Sequence, residues 1–374
     1  MSTAKNGSAQ KFIIKGTPSY YQMKGEETGP FSYMTICLLG VTKNGKRVCN
    51  NNCIFCSNWE RGRMRAGDST LSKEDFSKII PAFRKLGGKR IVTMGDGEPL
   101  YGENLDYMLE ITKIAGEHGI GVTIFSNGRL LTKDILNSFD RLNDDVVFII
   151  NINSLDKYTY EKTIRVPGSF EGVIENSRYW AERNARRIEI TDHGIVSQFA
   201  ITMVLSIANE GKIEDMKEFA EKCNAAFLCT SPMMTGSAEK NKSLIAPAIG
   251  DIRRLELLSQ RWSTTKGPSS RNLCGTCGYI GGYASGKKLS AEPGGITFDL
   301  YGNARPCGYL LEGLEFNIRN NVKTVSNAVD ALKKMNEIED KILKDIYEKF
   351  GFGPCLMRHE KLPEIEEYLQ SLRA

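Results

Sequence analysis

Three cysteines, Cys49, Cys53 and Cys56, lie within eight residues of one segment, CNNNCIFC. Thiolates bind soft metals, above all zinc and the irons of iron–sulfur clusters. A zinc site normally takes four ligands in paired elements, and no fourth cysteine or histidine lies nearby. An iron–sulfur cube fits better, because three thiolates on one tight loop bind three irons and leave the fourth iron open to a small ligand. A zinc site or a purely structural cluster is the alternative interpretation.

This loop lies within a regular pattern of strands and helices. Short apolar, β-branched runs alternate with amphipathic stretches, and Ser72 is the predicted cap of the first helix. The predicted strands are 31–40, 89–95, 121–128, 146–151, 197–207 and 226–231. Such alternation forms a parallel sheet with helices outside it. Six units are fewer than the eight of a complete barrel, so the sequence predicts an α/β fold with a partial (β/α)6 TIM-like barrel, and the cysteine loop follows its first strand.

The composition is that of an ordinary globular protein. With 374 residues, 41% of them apolar, the chain can bury a substantial core, and its net charge of +5 gives no sign of nucleic-acid binding. We predict a cytoplasmic location, because the first residues lack a secretory signal and the apolar runs are too short to span a membrane. Ten cysteines are then poorly explained by disulfides, and metal binding or catalysis is the better account.

The position of the CX3CX2C loop after the first strand resembles the radical S-adenosylmethionine (SAM) superfamily, as does the aromatic Phe55 before the last cysteine. The resemblance implies a 4Fe–4S cluster whose open iron binds the amino and carboxylate groups of SAM. It further implies that an electron from the cluster cleaves SAM to a 5′-deoxyadenosyl radical, which abstracts a hydrogen atom from a substrate.

Other motifs follow in the order of that family. GDGEP after the second strand is similar to the family's GGEP motif, whose backbone meets the SAM amino group, although Asp96 replaces the usual small residue. SNG at the end of the third strand is similar to the family's TNG. The resemblance also implies that Arg165 faces the SAM carboxylate, with Ser154 and Asn209 nearby; a surface charge, a helix cap and a turn residue are the respective alternatives. The predicted SAM-binding residues are Phe55, Gly95, Asp96, Gly97, Glu98, Pro99, Ser126, Asn127, Ser154, Arg165 and Asn209.

Four cysteines beyond the barrel, Cys274, Cys277, Cys307 and Cys355, resemble the ligands of a twitch or SPASM-type C-terminal extension. CGTC alone would suit zinc or a thiol pair, but GNARPC after a strand and turn is similar to the hairpin of that extension. The resemblance implies one auxiliary 4Fe–4S cluster bound by these four residues. A structural zinc is one alternative. If Cys355 is not a ligand, an open iron that binds substrate is another, as in the GTP cyclase of molybdopterin synthesis.

The predicted organisation has four segments, with a boundary near 232–265 where the β/α pattern stops. They are a flexible N-terminal lead-in at 1–30, a radical SAM partial barrel at 31–240, a twitch/SPASM-like auxiliary-cluster domain at 265–360 and a C-terminal helix at 361–374.

The resemblance leaves the substrate open. About thirty residues precede the first strand, fewer than a peptide-recognition domain needs. We therefore expect oxidation or epimerisation of a small polar substrate, which is sugar-like, an aminocyclitol or a nucleoside. Maturation of a ribosomally made peptide is the alternative; an RNA-modifying enzyme and a non-catalytic iron–sulfur protein are disfavoured. The implied cofactors are SAM and two 4Fe–4S clusters, and the implied partner is an electron donor such as flavodoxin or ferredoxin. No membrane is expected as a partner, and nucleic acid is disfavoured.

An epimerase must return a hydrogen atom to its substrate radical, which requires a donor such as a thiol. Cys229 ends the sixth predicted strand, where it could point into the mouth of the barrel. The sequence therefore makes Cys229 the candidate hydrogen donor, and a buried apolar thiol is the alternative.

Overall fold

The structure is a computed structural model that describes residues 12–42, 44–57, 69–262, 295–305, 307, 314, 316–351 and 361–372. Within these residues, seven parallel strands form the main sheet. They are β2 (Tyr33–Leu38), β3 (Arg90–Gly95), β4 (Gly121–Ser126), β5 (Val146–Asn151), β8 (Phe199–Val204), β9 (Ala226–Thr230) and β10 (Gly295–Asp299). Their order in space is β10-β2-β3-β4-β5-β8-β9. Three shorter strands, β1 (Phe12–Ile14), β6 (Glu189–Thr191) and β7 (Gly194–Ser197), form a small sheet in the order β1-β7-β6.

Helices connect the strands and, except for the first helix, cover one face of the main sheet. In the described ranges they are α1 (Pro18–Met23), α2 (Lys73–Lys85), α3 (Glu103–Glu117), α4 (Lys133–Leu142), α5 (Lys157–Ile164), α6 (Phe170–Ala185), α7 (Ile213–Lys222), α8 (Ser237–Lys240), α9 (Lys242–Ile245), α10 (Ile249–Trp262), α11 (Val325–Phe350) and α12 (Leu362–Ser371). The predicted cap of α2 is confirmed, because the Ser72 hydroxyl accepts the Asp75 N–H at 3.2 Å. No helix in the described part of the chain is both long enough and apolar enough to cross a bilayer.

The parallel α/β fold predicted from the sequence is confirmed. Each of the six predicted strands is formed, and consecutive ones pair in parallel across the sheet. β10 adds a seventh strand from the C-terminal part of the chain, with Gly295 opposite Tyr33 and Asp299 opposite Cys37. The strand predicted for the C-terminal extension therefore continues the barrel sheet, while the boundaries of the predicted segments stay predictions.

Side chains alternate between the two faces of the main sheet, because successive residues of a strand point in opposite directions. The outer face packs against the helices in one large apolar cluster, to which β9 contributes Phe227 and Cys229. The same strand presents Ala226 and Leu228 to the inner face, in a second cluster. This alternation decides which residues line the interior of the partial barrel.

The predicted flexible lead-in is wrong for residues 12–23, which form β1 and α1. β1 pairs in parallel with β7, and its Phe12 and Ile14 pack against the inner face of the main sheet. Tyr21 of α1 packs against the same face beside Tyr33. These side chains keep water away from the amino-terminal half of the interior. A strand of three residues is too short to produce a recognisable alternation in the sequence.

Replacing Phe12 by alanine is expected to lower the free energy of unfolding of the metal-free protein by about 3–5 kcal/mol. The ring is 2% exposed and belongs to the inner-face cluster. Ile190, in the small sheet, is 80% exposed, so its replacement by alanine is expected to change stability by less than about 0.5 kcal/mol. Chemical unfolding of both variants measures the difference. Equal stability of the two would contradict the packing of β1 against the sheet.

Candidate active site

The cysteine loop follows β2 and carries Cys49, Cys53 and Cys56 at half-buried positions. The thiols lie close enough to interact. Burial raises the pKa of Cys53 well above its usual value, and Cys56 and Cys49 raise it further. Burial also raises the pKa of Cys49 to about 11. These thiols must therefore lose protons to bind metal. Phe55 packs half-buried against the main core and helps to fix the loop between the last two cysteines.

The arrangement of the three thiols suits a cluster better than a single ion. In the described ranges, no three Cys, His, Asp or Glu side chains converge on the position of one metal ion. A 4Fe–4S cube does not require such convergence, because each thiolate binds a different iron. A donor set of three cysteines on one loop therefore fits the cube, and its ligation by Cys49, Cys53 and Cys56 stays a prediction.

The asparagines between the first two cysteines tie the loop to the end of β4. Asn127 of the SNG motif donates from its side chain to Asn50 Oδ1 at 2.7 Å. Arg129, two residues further on, donates to the Asn50 carbonyl oxygen and to Asn51 Oδ1, the latter at 3.0 Å. The loop that carries the cysteines is therefore held in place by the motif that follows the third barrel strand.

The GDGEP turn packs directly on the backbone of the cysteine loop. The Glu98 N–H donates to the Val48 carbonyl oxygen at 2.8 Å. A Cβ added to Gly97 would lie 2.0 Å from the Leu39 oxygen and 2.6 Å from the Val48 oxygen, so only glycine fits there. Asn104 of α3 holds the start of the loop by exchanging hydrogen bonds of 3.0 Å with both backbone groups of Leu39.

Glu98 joins the GDGEP turn to the end of β4. Its carboxylate accepts the Ser126 hydroxyl at 2.6 Å, the Asn127 N–H at 2.8 Å and the Leu100 N–H at 3.2 Å. The residue is 3% exposed, and burial raises the pKa of its carboxyl to about 7, although the three hydrogen bonds oppose the shift. Glu98 is therefore a positioning group for the backbone of both motifs.

Replacing Glu98 by glutamine is expected to remove one component of the pH dependence of stability. The pKa of about 7 in the folded state lies above the usual 4.5, so the folded protein keeps a proton that the unfolded chain loses between these values. The stability that this group contributes is complete below the usual pKa and is lost as the pH rises through about 7, by roughly 3 kcal/mol. Chemical unfolding of the metal-free proteins at about pH 5 and pH 8 measures this slope. Identical slopes for wild type and Glu98→Gln would contradict the assignment.

Arg165 lies at the end of α5, beside the cysteine loop. The Asn52 N–H of the loop donates to the Ile164 carbonyl oxygen at 2.9 Å. Arg165 has a left-handed backbone with φ of 55°, and its guanidinium donates to Asn241, which donates to the Ile54 carbonyl oxygen at 3.3 Å. It is exposed and lines an open cavity of about 750 Å³. The structure thus brings Arg165 to the cysteine loop, while its contact with the SAM carboxylate stays a prediction.

Ser154 and Asn209 are buried and use their side chains locally. Ser154 Oγ accepts the Asp156 N–H at 3.0 Å, at the start of α5. Asn209 Oδ1 accepts the Ser206 N–H at 2.7 Å, and its amide donates to the Asn153 carbonyl oxygen at 2.8 Å. The bonds of Asn209 match the alternative interpretation of a turn residue, whereas the residue that caps α5 is Asp156 and not Ser154. The contacts of Ser154 and Asn209 with SAM stay predictions.

Cys229 faces the helices and not the interior of the barrel. It packs in the outer cluster and is 4% exposed, whereas its neighbour Leu228 packs on the inner face. Burial raises the pKa of the Cys229 thiol to about 12, as expected for a cysteine in an apolar core. The predicted hydrogen-donor role is therefore wrong, because a thiol on the outer face does not reach a substrate inside the barrel.

Of the four cysteines predicted to bind an auxiliary cluster, Cys307 lies within the described residues. It is 2% exposed and packs in the main core. Cys274, Cys277 and Cys355 lie outside the described residues. The auxiliary cluster and its ligands therefore stay a prediction.

Asn104, Arg129 and Arg305 hold the site together and are not identified from the sequence. Arg129 directly follows SNG, and Asn104 lies in the first turn of the helix after GDGEP. Their positions next to recognisable motifs are a usable signal. Arg305 has no such signal, because its contact Asp96 lies 209 residues away in the chain.

The sequence of this part of the chain also matches a known protein family. Residues 44–220 match the model of the Radical SAM superfamily. Residues 44–220 form a radical SAM domain. Members of the superfamily are enzymes, and membership implies SAM and one 4Fe–4S cluster. The cysteine loop, the GDGEP turn, SNG and Arg165 all lie within the matched residues of this radical SAM domain.

The chain with its radical SAM domain is also similar to individual proteins. GTP 3′,8-cyclase of Petrotoga mobilis is 28% identical over 172 residues, 45% of this chain and 47% of the cyclase, so the aligned part spans about half of that relative. SuiB of Streptococcus suis bound to its precursor peptide SuiA gives a TM-score of 0.53 at 14% identity, over 83% of this chain and 67% of SuiB. SuiB bound to S-adenosylmethionine gives 0.49 at 16% identity, over 74% of this chain and 60% of SuiB. At these identities the likeness to SuiB shows the fold alone.

Proposed function

We propose that this chain reductively cleaves SAM and abstracts a hydrogen atom from a small polar substrate, which it oxidises or epimerises. The observation that carries the proposal is the contact between the cysteine loop and the GDGEP turn, where Gly97 leaves no room for a Cβ. When bound, the cluster and SAM supply the one-electron cleavage that leads to hydrogen abstraction. This use of the site explains why three cysteines, and not four, lie on the loop.

Some residues of the site would bind the cluster and SAM, and others position the residues that do. Cys49, Cys53 and Cys56 would hold the cluster through their thiolates. The backbone of the GDGEP turn would hold the SAM amino group, and Arg165, whose guanidinium is beside the loop, would hold the SAM carboxylate. Glu98 holds the GDGEP turn against the end of β4 through the hydrogen bonds of its buried carboxylate.

A polar interior at the carboxyl ends of the strands supports a small polar substrate. By the alternation of each strand, Asn151 and Thr202 face inward, above the apolar residues that β1 and α1 cover. Ligands of parallel α/β barrels bind at this end of the sheet. Polar side chains above Phe12 and Tyr21 suit a sugar-like, aminocyclitol or nucleoside substrate better than a large apolar one.

Within the described part of the chain, the directions of Cys229 and Cys37 favour oxidation over epimerisation. Cys229 points outward. Cys37 faces inward opposite Asp299, but it is fully enclosed at 0% exposed and so meets no open space. Oxidation instead requires an acceptor for a second electron, and the auxiliary cluster predicted at Cys307 would supply one. A flavodoxin or ferredoxin would supply the first electron.

Peptide maturation is the second candidate function. The likeness of fold to SuiB, whose structure contains the precursor peptide SuiA, extends over 83% of this chain and supports a peptide as the substrate class. Peptides are therefore included among the substrates to be tested.

The experiment is anaerobic reconstitution with iron and sulfide, followed by reduction with dithionite in the presence of SAM. We expect 5′-deoxyadenosine from the wild-type protein. An intact cluster without SAM cleavage would contradict the proposal. Deuterated aminocyclitols, sugars and nucleosides are then offered in parallel with peptides. Deuterium in 5′-deoxyadenosine from a small polar substrate supports the first candidate, and deuterium from peptides alone supports the second.

A further inference from the structure

The charge at Asp96, where the related motif has a small residue, is paired inside the protein. Arg305 Nη1 lies 3.3 Å from Asp96 Oδ2, and Arg305 Nε and Nη2 donate to Asp299 Oδ2 at 3.1 and 3.0 Å. The side chains of Arg305, Asp96 and Asp299 are 3%, 7% and 2% exposed. These three residues, the buried triad, thus link the GDGEP turn to the C-terminal strand β10 and the turn after it.

The triad holds one guanidinium between two carboxylates. Arg305 pairs with both Asp96 and Asp299, and the Tyr301 and Asn303 N–H groups also donate to Asp299 Oδ1 at 3.0 Å. A planar guanidinium with several donors can serve two carboxylates at once, which lysine cannot do in the same geometry. The contact is therefore specific for arginine at position 305.

The backbone next to Asp96 and the backbone next to Arg305 both accommodate the triad. A Cβ on Gly40, at the start of the cysteine loop, would lie 2.8 Å from the Asp96 Cβ, so a glycine there leaves room for the aspartate. On the other side, the Arg305 N–H donates to the Thr297 carbonyl oxygen at 2.8 Å. Arg305 is thus fixed in the turn two residues before Cys307.

We propose that Arg305 is a positioning residue that couples the SAM-binding GDGEP turn to the segment that carries Cys307. A displacement of the GDGEP turn then changes the energy of the segment that carries Cys307, and the reverse, through the Asp96–Arg305 pair. The radical SAM domain supplies the first site, and the part of the inference that concerns SAM binding rests on the proposed function. The part that concerns Cys307 can be measured without metal or SAM.

The central variant is Asp96→Asn, which removes the charge on the GDGEP side and leaves the Arg305–Asp299 pair intact. The first readout is the rate at which a maleimide labels Cys307 in the metal-free protein, with the labelled peptide identified by mass spectrometry. The second is the dissociation constant of SAM for the reconstituted protein. Couplings between sites typically change affinity about 5- to 150-fold. We expect at least about a fivefold rise in both quantities.

The matched control is Asp140→Asn, which breaks a half-buried pair. Arg183 is 4% exposed, Asp140 is 21% exposed, and Arg183 donates to Asp140 from Nε and Nη2 at 2.9 and 2.6 Å, between α6 and α4. This control is expected to change neither the Cys307 labelling rate nor SAM binding. Arg305→Lys is a second variant, which keeps the positive charge and loses the planar guanidinium. It is expected to raise both quantities less than Asp96→Asn does.

Unchanged Cys307 labelling in both Asp96→Asn and Arg305→Lys overturns the inference. An equal rise in Asp140→Asn also overturns it, because the effect is then a general loosening of the fold. If wild type fails to bind or cleave SAM, the proposed function fails, and the labelling result alone decides whether Asp96 is coupled to Cys307.

Discussion

Replacing Cys53 by alanine is expected to abolish SAM cleavage and to prevent formation of the 4Fe–4S cluster. The expected loss is at least about a thousandfold, the scale found when an indispensable catalytic group is removed. The loop has no spare ligand, because Cys49, Cys53 and Cys56 are its three cysteines. Iron content after anaerobic reconstitution and the yield of 5′-deoxyadenosine measure the effect.

The control for this loss is Cys223→Ala. Cys223 is also buried, at 6% exposed, and burial likewise raises its pKa to about 11, but it ends helix α7 away from the loop. Its replacement removes one buried sulfur and is expected to cost about 1–2 kcal/mol of stability with cluster and cleavage unchanged. Full cluster iron in Cys53→Ala would contradict the assignment of this loop as the cluster site.

Replacing Gly97 by alanine is expected to lower SAM cleavage at least about a hundredfold. The added methyl would meet the Leu39 and Val48 carbonyl oxygens at 2.0 and 2.6 Å. These atoms belong to backbone that the cysteine loop and Asn104 hold in place, so the turn must move away from the loop. A displacement of about 1 Å at a reactive site costs roughly this factor. The SAM dissociation constant and the cleavage rate of the reconstituted variant measure the effect.

Gly172→Ala is the matched control for this substitution. Gly172 lies inside α6, where an added Cβ meets nothing within 4 Å. Alanine is expected to stabilise this helix by about 0.5–1 kcal/mol, because glycine costs more backbone entropy there. Normal cleavage in both variants would show that the GDGEP turn does not need to approach the cysteine loop.

The sequence by itself indicated the class of chemistry and the parallel order of the six predicted strands. The spacing of three cysteines on one loop is a local feature of the chain, so a cluster site can be predicted without any tertiary information. The strands could be predicted because buried parallel strands are continuous apolar runs between amphipathic helices. The predicted cap at Ser72 is local in the same sense, since its partner Asp75 lies three residues away.

The tertiary structure decided which way the residues face and which distant residues meet. Cys229 could be placed at the end of a strand from sequence, but its outward direction depends on how β9 is paired with β8. Phe12 becomes a core residue because β7 and the inner face of the sheet receive it. Asp96 and Arg305 meet across 209 residues. The physical reason is that a face or an ion pair is a property of assembled strands, and no local pattern of residue types encodes it.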